Sequence, residues 1–97
     1  MKHFALTYEF VPDFMEKRAP LRAKHLEMLS QAEGRGELVL AGVLKGEPRS
    51  LLIFKAEDAS VVEAFARADS YVEGGIVTNW KVAEYITVAG VQALNKP

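Results

Sequence analysis

The sequence predicts one α+β domain, residues 1–97, in which a four-stranded antiparallel sheet carries two helices on a single face. Three observations predict it. Four stretches have the length and apolar content of strands, two stretches between them have apolar residues at helical spacing, and the order along the chain is βαββαβ. At 97 residues, 49% of them hydrophobic and 26% charged, the chain can bury one core and has the composition of an ordinary globular protein.

In HFALTYEF, Phe4, Leu6, Tyr8 and Phe10 alternate with His3, Ala5, Thr7 and Glu9, the period of a strand with one buried face. His3 falls on the opposite parity and reads as an edge or surface residue. Val11-Pro12-Asp13 breaks the pattern, and Asp13 with Glu16 has capping-box spacing. Pro20 lacks a backbone donor, so the spacing predicts a short lead-in over 13–18 and a main helix starting near Pro20. Leu21, His25, Met28, Leu29 and Ala32 form its apolar stripe, and Gly34 to Gly36 end it.

ELVLAGVL (37–44) and SLLIFKA (50–56) read as the second and third strands around the polar turn LKGEPRS. Asp58 or Ser60 caps a second helix, with Ser60 and Glu63 in capping-box spacing and Val61, Val62, Ala64, Phe65 and Ala68 on its apolar side. ADSYVEGG reads as a polar connection, in which Gly74-Gly75 is a plain turn for want of any phosphate-loop context. IVTNWKVAEYITV reads as a long fourth strand, and residues 90–97 as a loose tail. This order is the ferredoxin-like, split-βαβ arrangement. Its helices cover one sheet face, yet strands two to four carry apolar residues at both parities, among them Leu40, Leu51, Ile53 and Tyr85. Pairing of two sheets into a barrel-like homodimer is the expected remedy.

A formal charge of −1 gives no electrostatic attraction to a phosphate backbone or an anionic bilayer, so neither nucleic acid nor membrane is an expected partner. The absence of cysteine excludes disulfides, thiolate metal sites and cysteine nucleophiles. The first residues lack the apolar run of a signal peptide, and a cytoplasmic location is expected. No HExxH, EF-hand loop, GxSxG or dense ligand set supports a metal or serine-hydrolase reading.

His25 stands out because an imidazole occupies a place where a leucine would serve the core. It has two readings: a satisfied histidine at a helix–sheet boundary, or a general acid or base that titrates near neutrality. The second needs a carboxylate partner, and Asp69, just past the second helix, is a candidate. Arg18, Arg22 and His25 stand at i, i+4 and i+7. The arginines are either solvated and paired with Glu16 or Glu27, or are ligands for the carboxylate of an anionic substrate.

EKRAPLRAKHLEML, then a glycine turn, Ala41-Gly42 and FARADSYVEGGIV together resemble the YCII-related family of small proteins, over nearly the whole chain. The specific parts are the R-x-x-H-L and A-D-x-Y-V segments. The resemblance implies a ferredoxin-like fold, dimeric α+β barrels, and a histidine–aspartate dyad in a pocket between helices and sheet. By position the dyad is His25 and Asp69, Arg22 takes the arginine place before the histidine, and Tyr71 is the aromatic after the aspartate. Two departures stand out: Ser70 replaces the proline usual after the aspartate, and GVLKGEPRS is shorter than the glycine-rich loop of other members.

Some relatives eliminate chloride from chlorinated hydroxyquinol-type aromatics, and related barrels isomerise muconolactones or act on other small oxygenated rings. The resemblance therefore implies a lyase or isomerase of small, anionic organic molecules, without metal, flavin or other cofactor. In that reading His25 is the base, Asp69 orients it, and Arg22, Ser50 and Tyr71 are the substrate-binding residues. Two other classes stay open: a non-catalytic dimeric module that binds a small ligand in the same pocket, and an accessory protein with no pocket chemistry.

Overall fold

A computed structural model describes all residues, Met1–Pro97. The elements run β1 (Lys2–Phe10), α1 (Phe14–Lys17), α2 (Ala19–Gly34), β2 (Leu38–Val43), β3 (Arg49–Ala56), α3 (Ala59–Ala68), α4 (Ser70–Glu73) and β4 (Val77–Tyr85). The sheet is antiparallel with order β2-β3-β1-β4, so the ferredoxin-like expectation holds, with α1 and α4 as added helical turns. No helix is long and apolar enough to cross a membrane.

The alternation in β1 sorts its side chains as expected: Phe4, Leu6, Tyr8 and Phe10 are buried beneath the helices. Across the ladder they face Leu52 and Phe54 of β3 and Val82 and Trp80 of β4, and α3 closes the layer with Val62, Phe65 and Ala66. Each Leu, Phe or Val side chain fully buried in this layer contributes about 1.5–3 kcal/mol relative to exposure. This layer fixes where the site can form, because Tyr8 points from its middle toward the helices.

Pro20 acts as expected. Lys17 ends α1, Arg18 sits between the helices, and Pro20 lies in the first turn of α2, where a missing N–H costs nothing. The end of α2 is set by Gly36, whose φ of +76° few other residues adopt. Other local expectations change. Asp13 makes no cap hydrogen bond and instead lies 3.5 Å from Lys17 Nζ one turn on, so the Asp13–Glu16 box does not form. At α3 the cap is Asp58, which accepts from the Ser60 N–H at 2.9 Å and from the Ser60 hydroxyl. Those bonds hold the Asp58 carboxyl below its ordinary range and leave no Ser60–Glu63 box. The segment after Asp69 is a helical turn rather than a plain connection, and β4 ends at Tyr85.

A register shift between Leu38 and Leu40 alters the parity of β2. Leu38, Ala41 and Val43 fall on the helix side, opposite Phe54, Leu52 and Ser50, while Leu40 turns outward and is 71% exposed. An extra residue in one strand has this effect. The outer face thus shows Leu40, Leu51 and Tyr85 to solvent.

His3 departs from the surface reading: it is 3% exposed. Strand parity places it on the outer face as expected, but the chain beyond β4 returns to that end of the sheet. Thr87 Oγ1 and His3 Nδ1 share a hydrogen bond of 2.7 Å. Leu94 N–H donates to the same hydroxyl, and Asn95 N–H donates to the Thr87 carbonyl. His3 Nε2 is buried with no partner.

Candidate active site

Asp69 is the fixed point of the site. It ends α3 and caps α4, in an extended conformation (φ −65°, ψ 129°) that turns its side chain inward. Its Oδ1 accepts the Tyr71 N–H at 3.1 Å, the usual work of a helix cap. The residue is completely buried, so the carboxylate must be satisfied by the protein. Two further donors meet it: Tyr8 Oη donates to Oδ2 at 2.7 Å, and His25 Nδ1 lies 2.8 Å from Oδ1 and 3.0 Å from Oδ2. A carboxylate only accepts, so His25 Nδ1 carries the hydrogen and Nε2 keeps its lone pair. Burial, the Asp69 charge and its hydrogen bond push the Tyr8 phenol far above its ordinary value, and it stays a protonated donor.

His25 comes from the second turn of α2, on the stripe it shares with Leu21 and Leu29. Its side chain is 12% exposed, against none for Asp69. Tyr71 holds the other face of the imidazole: the rings stack with centroids 3.8 Å apart and 10° between planes. Hydrogen bonds on one edge and a ring on one face leave the imidazole a single orientation. Nε2 makes no hydrogen bond within the protein and, unlike its counterpart in His3, is not a buried orphan.

His25 lines a cavity of about 250 Å³ between α2, the β2–β3 edge and the end of β1. Arg18, Arg22, Ser50 and Tyr71 line it too, and the stacked rings of Phe10 and Phe14, 4.4 Å apart, form an apolar wall. Asp69 lies behind His25 and does not line it. The structure thus brings together the candidate site residues of the sequence: His25, Tyr71, Arg18, Arg22 and Ser50 around the cavity, Asp69 beneath. Ser50 donates its hydroxyl hydrogen to the Gly42 carbonyl at 2.8 Å, so what it offers the cavity is lone pairs. Neither arginine is in an ion pair. The pairs with Glu16 or Glu27 do not form, and Glu27 instead accepts from Gln31 at 3.4 Å. A groove of about 600 Å³ adjoins the cavity, sharing Phe14 and Val43 with it. No three His, Asp or Glu side chains converge to form a metal-ligand set.

Sequence reasoning passed over Tyr8, which reads as one more core aromatic. The available signal was its hydroxyl in a buried Phe/Leu series, since most buried phenols take a hydrogen-bond partner, although the Tyr71 hydroxyl of the same site is buried without one. Ser70 explains how α4 is held without the family's proline: its hydroxyl donates to the Leu21 carbonyl of α2 at 2.9 Å.

Among solved structures, the fold is similar to 5-chloro-2-hydroxyhydroquinone dehydrochlorinase of Burkholderia phenoliruptrix, in complex with 2,5-dihydroxybenzoquinone. The TM-score is 0.77 at 20% identity, covering 88% of this chain and 94% of that one. It is also similar to a protein of Agrobacterium tumefaciens, with TM-score 0.63, 10% identity, and 97% and 100% covered. A NIPSNAP domain protein of Burkholderia xenovorans gives TM-score 0.56, 11% identity, and 97% and 99% covered. At these identities the likeness is one of fold. No curated protein sequence matches the chain. The YCII-related domain matches residues 1–86, and the chain belongs to that family.

Proposed function

We propose that this protein is a cofactor-independent lyase or isomerase that moves a proton on a small, anionic organic substrate. The observation that carries the reading is the His25–Asp69 bond, because it commits Nδ1 as the donor and leaves Nε2 as the basic nitrogen of a cavity-lining imidazole. Nε2 takes a proton from an acidic O–H or C–H of the substrate. In an elimination the electron pair so released moves through the carbon skeleton and expels a leaving group such as chloride. In an isomerisation the same imidazolium returns the proton at another carbon. Asp69 is a positioning residue that stabilises the imidazolium, and general acid–base help of this kind contributes about 10²–10⁴ in rate. Arg22 and the Ser50 lone pairs hold the substrate, and Tyr71 braces the ring.

The size of the cavity supports a single-ring substrate, since sites for larger, drug-sized molecules run to ~300–1,000 Å³. The neighbouring Burkholderia structure, an enzyme named for a chlorinated hydroxyhydroquinone, supports the elimination arm. The test is chloride release from 5-chloro-2-hydroxyhydroquinone by the full chain and by His25→Ala, with circular dichroism to verify folding. Release should fall about 10²–10⁴-fold in the variant. Equal release by a folded variant removes His25 from the chemistry. No release by the wild type, with saturable binding of 2,5-dihydroxybenzoquinone, points instead to a non-catalytic binding module. A homodimer through the outer sheet face belongs to the same proposal, supported by exposed Leu40, Leu51 and Tyr85.

A further inference from the structure

Two guanidiniums line the His25 cavity and no carboxylate does. They are not equivalent. Arg22 is exposed, and water can satisfy its guanidinium. Arg18 is half-buried, yet its side chain has no hydrogen bond and no ion pair within the protein. A partly desolvated guanidinium with no counter-charge is costly unless an anion completes it.

The backbone of Arg18 is also held from both sides. Its N–H donates to the Phe14 carbonyl at 2.8 Å, and its carbonyl accepts the Leu21 N–H at 2.8 Å, so the residue is fixed at the junction of α1 and α2. Seven residues of helical rise place its Cα about 10 Å along the axis from that of His25. The arginine side chain spans part of that gap, and the remainder suits one ring or a short carbon chain. The walls between are apolar: Phe10, Phe14 and Leu29.

We infer that Arg18 is the anchor for a substrate oxyanion, carboxylate or phenolate, and that the cavity selects small organic anions over neutral molecules of the same shape. The inference rests on the proposed function for the location of the reacting atoms, and it adds the anchor of the anion, a residue that reading does not use. A planar carboxylate takes two parallel N–H bonds from a guanidinium, which fixes its orientation as well as its position. Its apolar body then lies along Phe10 and Phe14, with the far end toward His25 Nε2.

The probes are benzoate and benzamide, equal in shape and different in charge, bound to the full chain at low ionic strength and followed by amide chemical shifts. Benzoate should bind the wild type at least about tenfold more tightly, the scale of one hydrogen bond to a charged group. Arg18→Gln should erase that preference and leave benzamide unchanged, Arg18→Lys should keep part of it, and Lys24→Gln, which removes a charge from the exposed face of α2 outside the cavity, should alter it less than about threefold. Equal binding of the two probes, no binding of either, or a preference lost in Arg22→Gln but kept in Arg18→Gln overturns the inference. His25→Gln separates the two readings. A variant that binds benzoate normally but releases no chloride leaves the anchor and the base both standing, whereas one that still turns over removes the base alone.

Discussion

The two histidines are bonded alike and placed differently. Each has Nδ1 tied to a side-chain oxygen and Nε2 free of any partner. The partner of His25 is a buried carboxylate that receives three donors; the partner of His3 is a hydroxyl that already accepts from Leu94 N–H. The free nitrogen of His25 belongs to a cavity-lining ring, and that of His3 is sealed. A histidine becomes a candidate base through the charge behind it and the space before it, and hydrogen bonding alone distinguishes nothing.

The largest effect should come from Asp69→Asn. The amide keeps the shape but cannot accept from Tyr8, His25 and the Tyr71 N–H together, and it turns an N–H₂ toward donors. A loss of about 3–5 kcal/mol in stability follows from leaving a buried pair broken. Turnover should fall about 10³–10⁴-fold, the scale known for a carboxylate that fixes a catalytic imidazole's tautomer. Chemical denaturation with chloride release measures both, and a variant with near-normal turnover would remove the distinction drawn between the two histidines.

Next is Tyr8→Phe, which deletes one donor to Asp69 and should cost about 1.5–3 kcal/mol. Its pH signature is specific. The folded phenol is raised above its ordinary 10.0, so its contribution is fully present below pH 10 and is lost as pH rises and the unfolded chain ionises. The wild type should therefore lose stability above pH 10 more steeply than Tyr8→Phe, and parallel alkaline denaturation curves would contradict that. The smallest effect is expected of His3→Leu. Removing an orphaned nitrogen offsets the lost bond to Thr87, which keeps its bond from Leu94, so stability should change by less than about 1 kcal/mol and turnover not at all.

Strand parity read the buried face of β1 correctly because alternation is a local signal, and the order of elements limited the topology to the sheet observed. The face assigned to His3 was legible too, but its burial was not. It depends on Thr87 and Leu94, more than eighty residues away, and no periodicity reports that return. Asp69 and His25 are separated by 44 positions; the order of elements made Asp69 a candidate partner, and the two motif segments singled out the pair. The part played by Tyr8 was hidden because core aromatic and site donor look the same in an alternating strand. The Ser60–Glu63 capping box failed for a local reason: Asp58 precedes Ser60 and takes both of its donors.

Ser70 has one further consequence, for motion. A proline after Asp69 would stiffen that turn by itself. The serine instead ties the turn to α2 through the Leu21 carbonyl, and Leu21 also packs against Gly74, where a Cβ would sit 2.8 Å from the Ser70 carbonyl. The segment bearing the carboxylate and the helix bearing the imidazole are therefore joined directly. Amide protons of α4 and of the first turns of α2 should exchange with solvent at one common rate, as a single cooperative unit that opens and closes with the His25–Asp69 distance preserved.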